Sequence, residues 1–269
     1  MRAAVVGHVE WVDFVRVDCL LGSGEIADAL EHWEEAAGGG ADAAREFTRL
    51  GAETAFLTAF GNDDLSRRAN LVLEEQGVNV SAATRDAPQR RALTYVERDG
   101  ERTITVIGEK LVPHATDPLP WAALAATDAV YFCGGDAEAV RLTRRARVLV
   151  ATARELDTVR EAGVELDALV GSGRDPRERY EPGDLDPPPR LVAMTEGAEG
   201  GRYTASGEDG RWTAAPLRAP LRDRYGAGDA FAAGLAYALA DGRTVADALA
   251  FAARSGAHAM TVRGGGSPR

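Results

Sequence analysis

Asp229 closes the string Asp223-Arg224-Tyr225-Gly226-Ala227-Gly228-Asp229, and the apolar run from Ala230 to Leu239 follows it directly. Phe231, Leu235 and Leu239 recur every fourth residue, so the run is expected to be a helix with one buried face. Ala232, Ala233 and Gly234 are small enough to let that helix pack closely. A glycine-rich turn feeding such a helix leaves several N–H groups unpaired and aimed at one point. The positive end of the helix dipole stands behind them, and such a point binds phosphate. A carboxylate at the same helix start can be a plain cap. Beside an anion hole, though, it repels the very ligand the hole favours. The combination makes chemical sense if the carboxylate takes a proton from a nucleophile lying between it and the phosphate.

The rest of the chain must frame that loop. Ala3 to Val6 is expected to be a short buried strand closed by Gly7. Gly38-Gly39-Gly40 opens a helix in which Ala43, Ala44, Phe47 and Leu50 share a face, and Gly51 stops it as a left-handed cap. Thr54 to Phe60 alternates like a strand, and Gly61-Asn62-Asp63-Asp64 caps a helix that ends at Gly77. The β-rich runs 93–97 and 103–107 meet across Asp99-Gly100, a hairpin signal that interrupts the strand–helix alternation and suggests a lid. Residues 12–24 are the candidate partner strands of that lid. Alternation resumes with strands at 129–133, 148–151, 166–170 and 191–195, with helices at 137–145 and 155–162 among them. Tyr203-Thr204 and Trp212-Thr213 pair around Gly207 to Gly210, and a last helix starts at Thr244. The expected fold is α/β: a three-layer, Rossmann-like, mainly parallel sheet with helices on both faces and a small β lid. The expected organisation is one domain over 1–269, with lid elements at about 12–24 and 90–108 inserted in it.

The net charge of -11 argues against a nucleic-acid or anionic-membrane partner, since phosphate-rich surfaces need a basic face. It leaves room for one nucleotide, which a few amides and an arginine can hold. Cys19 and Cys133 lack metal-like spacing and read as reduced thiols of a cytoplasmic protein. No apolar run approaches the ~20 residues of a membrane span.

The string from Asp223 to Phe231 resembles the signature Asp-Thr-x-Gly-Ala-Gly-Asp-x-Phe of the ribokinase-like, or PfkB, carbohydrate kinases, with Arg224 in place of threonine. Gly38-Gly39-Gly40-Ala41-Asp42, followed nine residues later by Gly51, is similar in spacing to the second signature of that family, with Asp42 where asparagine is usual. Gly61-Asn62-Asp63 matches the family's Gly-x-Asp. The resemblance implies an ATP-dependent kinase acting on a hydroxyl of a sugar or nucleoside, with Asp229 as general base and the amides of Gly226, Ala227 and Gly228 as the hole for the transferring group. It places Gly39, Gly40 and Asp42 on the sugar side, and makes Asp13 the family's N-terminal substrate acid with Glu10 as its competitor. Thr195-Glu196-Gly197 resembles the Thr-x-Gly turn that meets the nucleotide, and Arg174 is the candidate for the ATP phosphates. Ser172-Gly173-Arg174-Asp175 stands where the family often has Asn-x-x-Glu, so Asp175 is the candidate for hydrated Mg²⁺. Asp223 keeps the place near which some members bind a monovalent cation, while Arg224 brings its own charge and argues against potassium dependence. The lid's edge strands are candidate contacts of a homodimer.

Three other readings compete. A degenerate relative that binds a sugar or nucleoside without turnover is motivated by Asp42, Ser172, Asp175 and Arg224, and opposed by Asp229 with its glycines. A nicotinamide dehydrogenase fails because no Gly-x-Gly-x-x-Gly follows the first strand, and a P-loop enzyme fails because the sole lysine, Lys110, follows no such loop.

Overall fold

Strands that are apolar throughout, such as Ala3-Ala4-Val5-Val6 and Ala129-Val130-Tyr131-Phe132, have nothing to present to water and call for cover on both faces. The computed structural model, which describes residues 1–264, gives them that cover. In chain order the elements are β1 (Arg2–Val6), β2 (Glu10–Arg16), β3 (Glu31–Ala37), α1 (Gly39–Arg49), β4 (Glu53–Phe60), α2 (Asp64–Glu75), β5 (Asn79–Thr84), β6 (Arg91–Val96) and β7 (Arg102–Ile107). There follow β8 (Ala129–Phe132), α3 (Ala137–Thr143), β9 (Val148–Thr152), α4 (Leu156–Ala162), β10 (Ala168–Ser172), β11 (Leu191–Thr195), β12 (Gly201–Ala205), β13 (Glu208–Trp212), α5 (Ala227–Ala240) and α6 (Val245–Ala259).

Nine strands form one sheet in the order β13-β12-β11-β10-β9-β8-β1-β4-β5. From β5 to β11 all pairings are parallel, and the β12–β13 hairpin adds antiparallel strands at one end. Ser206 and Gly207 turn that hairpin, both at positive φ, as a tight two-residue connection requires. Side chains alternate across the sheet. Val5, Tyr131, Val150 and Val170 share a core with α1, α5 and α6, whereas Val6, Phe132, Leu149 and Leu169 pack with α3 and α4. The chain runs outward from β1 through β4 to β5, then returns to the other side of β1 with β8. In doubly wound sheets the carboxyl ends of the strands at such a reversal, here β1 and β8, are the usual ligand position.

A second, four-stranded sheet runs β3-β2-β6-β7, with β2 and β6 parallel and the outer pairs antiparallel. The hairpin expected at 93–107 is β6–β7. The partner strands differ from the expected 12–24: β2 ends at Arg16, residues 17–30 form no strand, and Glu31–Ala37 supplies the fourth strand. One face of this sheet, with Val12, Phe14, Ala92 and Val96, packs on Tyr225 of the loop before α5. Phe14 and Tyr225 meet edge to face at 5.0 Å.

Helices α5 and α6 lie unusually close. A Cβ at Gly234 would fall 2.5 Å from the Ser255 hydroxyl, and one at Gly256 would fall 3.0 Å from the carbonyl oxygen of Ala227. Thr244 caps α6 through the amide of Asp247 at 3.2 Å, as its local pattern suggests.

Candidate active site

Gly226 adopts the left-handed conformation (φ 69°) and turns the chain into α5 with no side-chain cap. The first intrahelical bond runs from the Ala230 N–H to the Gly226 carbonyl, 2.9 Å. The N–H groups of Ala227, Gly228 and Asp229 therefore precede the ladder. A Cβ at Gly228 would meet nothing within 4 Å, so the helix start opens onto free space.

Asp229 lies in the first turn, half-buried, with its Oδ1 accepting a hydrogen bond from the Tyr131 hydroxyl at 3.0 Å. The surrounding protein pushes its pKa up; the Tyr131 bond and the charges of Arg154, Lys110 and Arg102 oppose that rise. Gly39 faces it: a Cβ there would stand 2.8 Å from Asp229 Oδ1 and 3.5 Å from His8 Cε1. Only a glycine lets α1 and the carboxylate approach so closely. Gly40 has another task, because a Cβ there would fall 2.6 Å from the His8 carbonyl oxygen and 2.7 Å from the Phe56 ring.

Asp42 is 1% exposed and its Oδ1 accepts from Arg45 Nη1 at 2.9 Å. Arg45 also donates to Gln76 Oε1 at 2.7 Å and to the Ala36 carbonyl. Asp42 Oδ2 has no hydrogen-bond partner among the described residues. Burial drives the pKa of Asp42 well up; Arg45 opposes this, and Asp229 adds to it.

Asp13 and Glu10 fall on opposite faces of β2. The pleat of β2 puts Glu10, Val12 and Phe14 on the face toward Tyr225 and leaves Asp13 on the other, where it pairs with Arg91 at 3.0 Å and His32 at 3.7 Å. Glu10 is 5% exposed, pairs with Arg90 at 2.8 Å and lies 3.7 Å from His8 Nε2. Burial raises its pKa, and the Asp229 charge contributes. The parity of the strand, readable from Val12 and Phe14, is the signal that favours Glu10.

Arg174, Thr195 and Gly197 come together at the carboxyl ends of β10 and β11. Gly197, at φ 66°, lies under the Arg174 guanidinium, which a Cβ would approach to 2.9 Å. The Thr195 carbonyl accepts from the Gly173 N–H at 2.8 Å. Asp175 is not free for a metal. Its Oδ1 caps the Arg177 amide at 3.0 Å and its Oδ2 accepts from Arg154 Nη2 at 2.6 Å. Arg154 also pairs with Glu178 at 2.7 Å. Among the described residues no group of three or more His, Cys, Asp or Glu side chains could hold a metal ion. The acids here are thus satisfied by guanidinium groups and do not fit a protein-held Mg²⁺.

Arg154, at the carboxyl end of β9, escaped the sequence reading, since its partners lie more than twenty positions away. Asp223 is fully buried and accepts from the Tyr225 N–H at 3.0 Å and the Gly264 N–H at 3.3 Å. Arg224 does not bring its charge to Asp223. It pairs with Glu101 at 2.9 Å, and its N–H reaches the Gly100 carbonyl at 3.2 Å, tying the loop to the lid hairpin. No described helix is long and apolar enough to cross a membrane.

The profile of the "pfkB family carbohydrate kinase" matches residues 2–179 and 165–269. An ATP-dependent ribose-1-phosphate kinase of Halopiger xanaduensis is 25% identical over 273 residues, covering 96% of this chain and 91% of its own. Among solved structures, a microbiome-derived acarbose kinase superposes with a TM-score of 0.82 at 21% identity, covering 99% of this chain and 95% of its own. The adenosine kinase of Sinorhizobium meliloti gives 0.79 at 19% identity, covering 98% and 95%. The Gly226–Asp229 turn, the mainly parallel sheet with its small second sheet, and the profile spanning almost the whole chain agree: this protein belongs to the pfkB family of carbohydrate kinases.

Proposed function

We propose that the protein transfers the γ-phosphoryl group of ATP to a hydroxyl of a sugar or nucleoside held between the two sheets, with Asp229 as general base. The observation that carries this reading is the carboxylate in the first turn of α5, beside three N–H groups that have no place in the helical ladder. Asp229 takes the hydroxyl proton as the new O–P bond forms and the β,γ-bridging oxygen leaves with ADP. Of those N–H groups, the amides of Ala227 and Gly228, together with that of Gly226 just before them, hold the charge that accumulates on the transferring group. Burial makes Asp229 a stronger base than an exposed carboxylate, and the Tyr131 hydrogen bond with the charges of Arg154, Lys110 and Arg102 opposes that rise.

On the acceptor side, Glu10 and the buried, unpartnered Oδ2 of Asp42 are the candidate hydrogen-bond acceptors for neighbouring hydroxyls, with Gly39 giving the acceptor access to Asp229. Arg174, Thr195 and Gly197 serve the nucleotide. No step here runs through a metal ion.

Asp229→Asn keeps the size of the side chain and removes the base. We expect kcat to fall by about a thousandfold, while stabilisation by the acceptor in a thermal-shift assay persists. Activity within a few-fold of wild type would sink the reading. Binding without turnover is the second reading, favoured by the guanidinium contacts that occupy Asp175 and Glu178. A wild-type protein that is stabilised by a sugar or nucleoside yet consumes no ATP with it would establish that alternative.

A further inference from the structure

We propose that Tyr131 is a positioning residue for phosphoryl transfer: its phenol fixes Asp229 Oδ1 so that Oδ2 alone is presented to the acceptor hydroxyl. The proposal rests on Asp229 being the general base.

Tyr131 comes from β8, across the sheet from α3, and its ring is 2% exposed in the core that α5 covers. An aromatic ring fits there through apolar contacts alone, so phenylalanine would meet the packing requirement. The hydroxyl adds one polar atom to an apolar core, and a buried hydroxyl is costly unless bonded. Its partner is the Asp229 carboxylate at 3.0 Å. Gly39 closes on the same oxygen from α1, leaving too little room there even for a methyl group. Oδ1 is thus bonded by the phenol and flanked by the backbone of Gly39, and the carboxylate cannot rotate about its Cβ–Cγ bond without losing a charge-assisted hydrogen bond.

This bond has an electrostatic consequence. Donation by the phenol stabilises the ionised carboxylate and opposes the desolvation that raises its pKa. Three cations also face Asp229: Arg154 beyond β9, Lys110 beyond β7, and Arg102 on β7. The Asp229 charge in turn raises three acids, namely Glu10 on β2, Asp42 on α1 and Glu178 beyond β10. Cys133 and Tyr225 also lie within its field, and burial raises both far enough that they stay neutral through the working range. Of all these groups Tyr131 is the one that donates a hydrogen bond to the carboxylate, so removing its hydroxyl changes Asp229 and leaves the other charges in place.

The test is the pH dependence of kcat/KM for Tyr131→Phe, with fold checked by thermal melting. Loss of the donor raises the pKa of Asp229, so the acid limb should move to higher pH by about one unit. At its optimum kcat should fall about tenfold, while the acceptor KM stays within about twofold of wild type. Site-specific 3-fluorotyrosine at position 131 is a stronger donor of unchanged shape and should move the same limb to lower pH. An unmoved limb in both proteins, or a Tyr131→Phe enzyme with wild-type kcat, overturns the proposal. An Asp229→Asn enzyme that stays active overturns the base assignment and this proposal with it. A dead Asp229→Asn enzyme alongside an unmoved Tyr131→Phe limb overturns the role of Tyr131 alone.

Discussion

Glu10 and Asp13 stand on the same strand an odd number of residues apart, and the pleat sends them to opposite faces of the small sheet. Only Glu10 shares a face with Val12 and Phe14, which lie against Tyr225 of the loop before α5. Glu10→Gln keeps shape but gives up the charge that both Arg90 and an acceptor hydroxyl use. We expect the acceptor KM to rise about tenfold on a loss of about 1–2 kcal/mol, with Asp13→Asn within about twofold of wild type. Steady-state kinetics of the two variants with one acceptor checks this, and the opposite ranking would return the role to Asp13. The contrast also shows what was legible in the residues. Asp229 and its glycines are contiguous, so their chemistry survives as a string. Choosing between Glu10 and Asp13 needs the face of the strand, and finding Arg154 needs Asp175 and Glu178, brought in by a segment more than twenty positions on.

At the scale of elements, α1 and α5 meet the site with glycines that do different work. Gly39→Ala would press a methyl against Asp229 Oδ1, displacing the base without disturbing the core. Gly228→Ala adds a methyl to open space. We expect the first to lower kcat by about a hundredfold with little change in Tm. The second should leave kcat at saturating ATP near wild type and raise the KM for ATP, because the methyl crowds the anion-binding turn. Equal losses of kcat in the two variants would contradict this assignment. The helices themselves were legible because glycine stops, caps and fourfold apolar spacing are local. Strand β3 was not: Glu31-His32-Trp33-Glu34-Glu35 carries three carboxylates in five residues. It is held by pairing with β2 and by the Phe14–Trp33 stack at 5.0 Å rather than by strand propensity.

Across the whole molecule, the reversal of strand order around β1 gathers groups distant in sequence at one site. Asp229 there feels charges from three separate segments, so its titration reports the assembled fold. The sign follows from the competing causes. Desolvation, the largest, raises the folded pKa above the ordinary carboxylate value, and the base works only when ionised. Activity should therefore be full above that raised pKa and fall as the pH drops through it, earlier than an exposed aspartate would dictate. A kcat/KM profile whose acid limb lies at or below about 3.9 would contradict the burial of the base. The parallel sheet and its two helical layers were legible from alternation alone. The order of its strands was not, because no local pattern states on which side of β1 the chain resumes after the lid.

The close seam between α5 and α6 carries a consequence for how variants of this enzyme are interpreted. Gly256 abuts the carbonyl of Ala227, and Gly234 abuts Ser255, so in the proposed mechanism the aim of the amides at the start of α5 is set by α6. A side chain added at either glycine would tilt the start of α5 as a shim tilts a mirror. Such a lesion would present as a catalytic defect while every residue of the cleft remained intact. In a screen scored by turnover, these two positions would map to the active site although neither lines it.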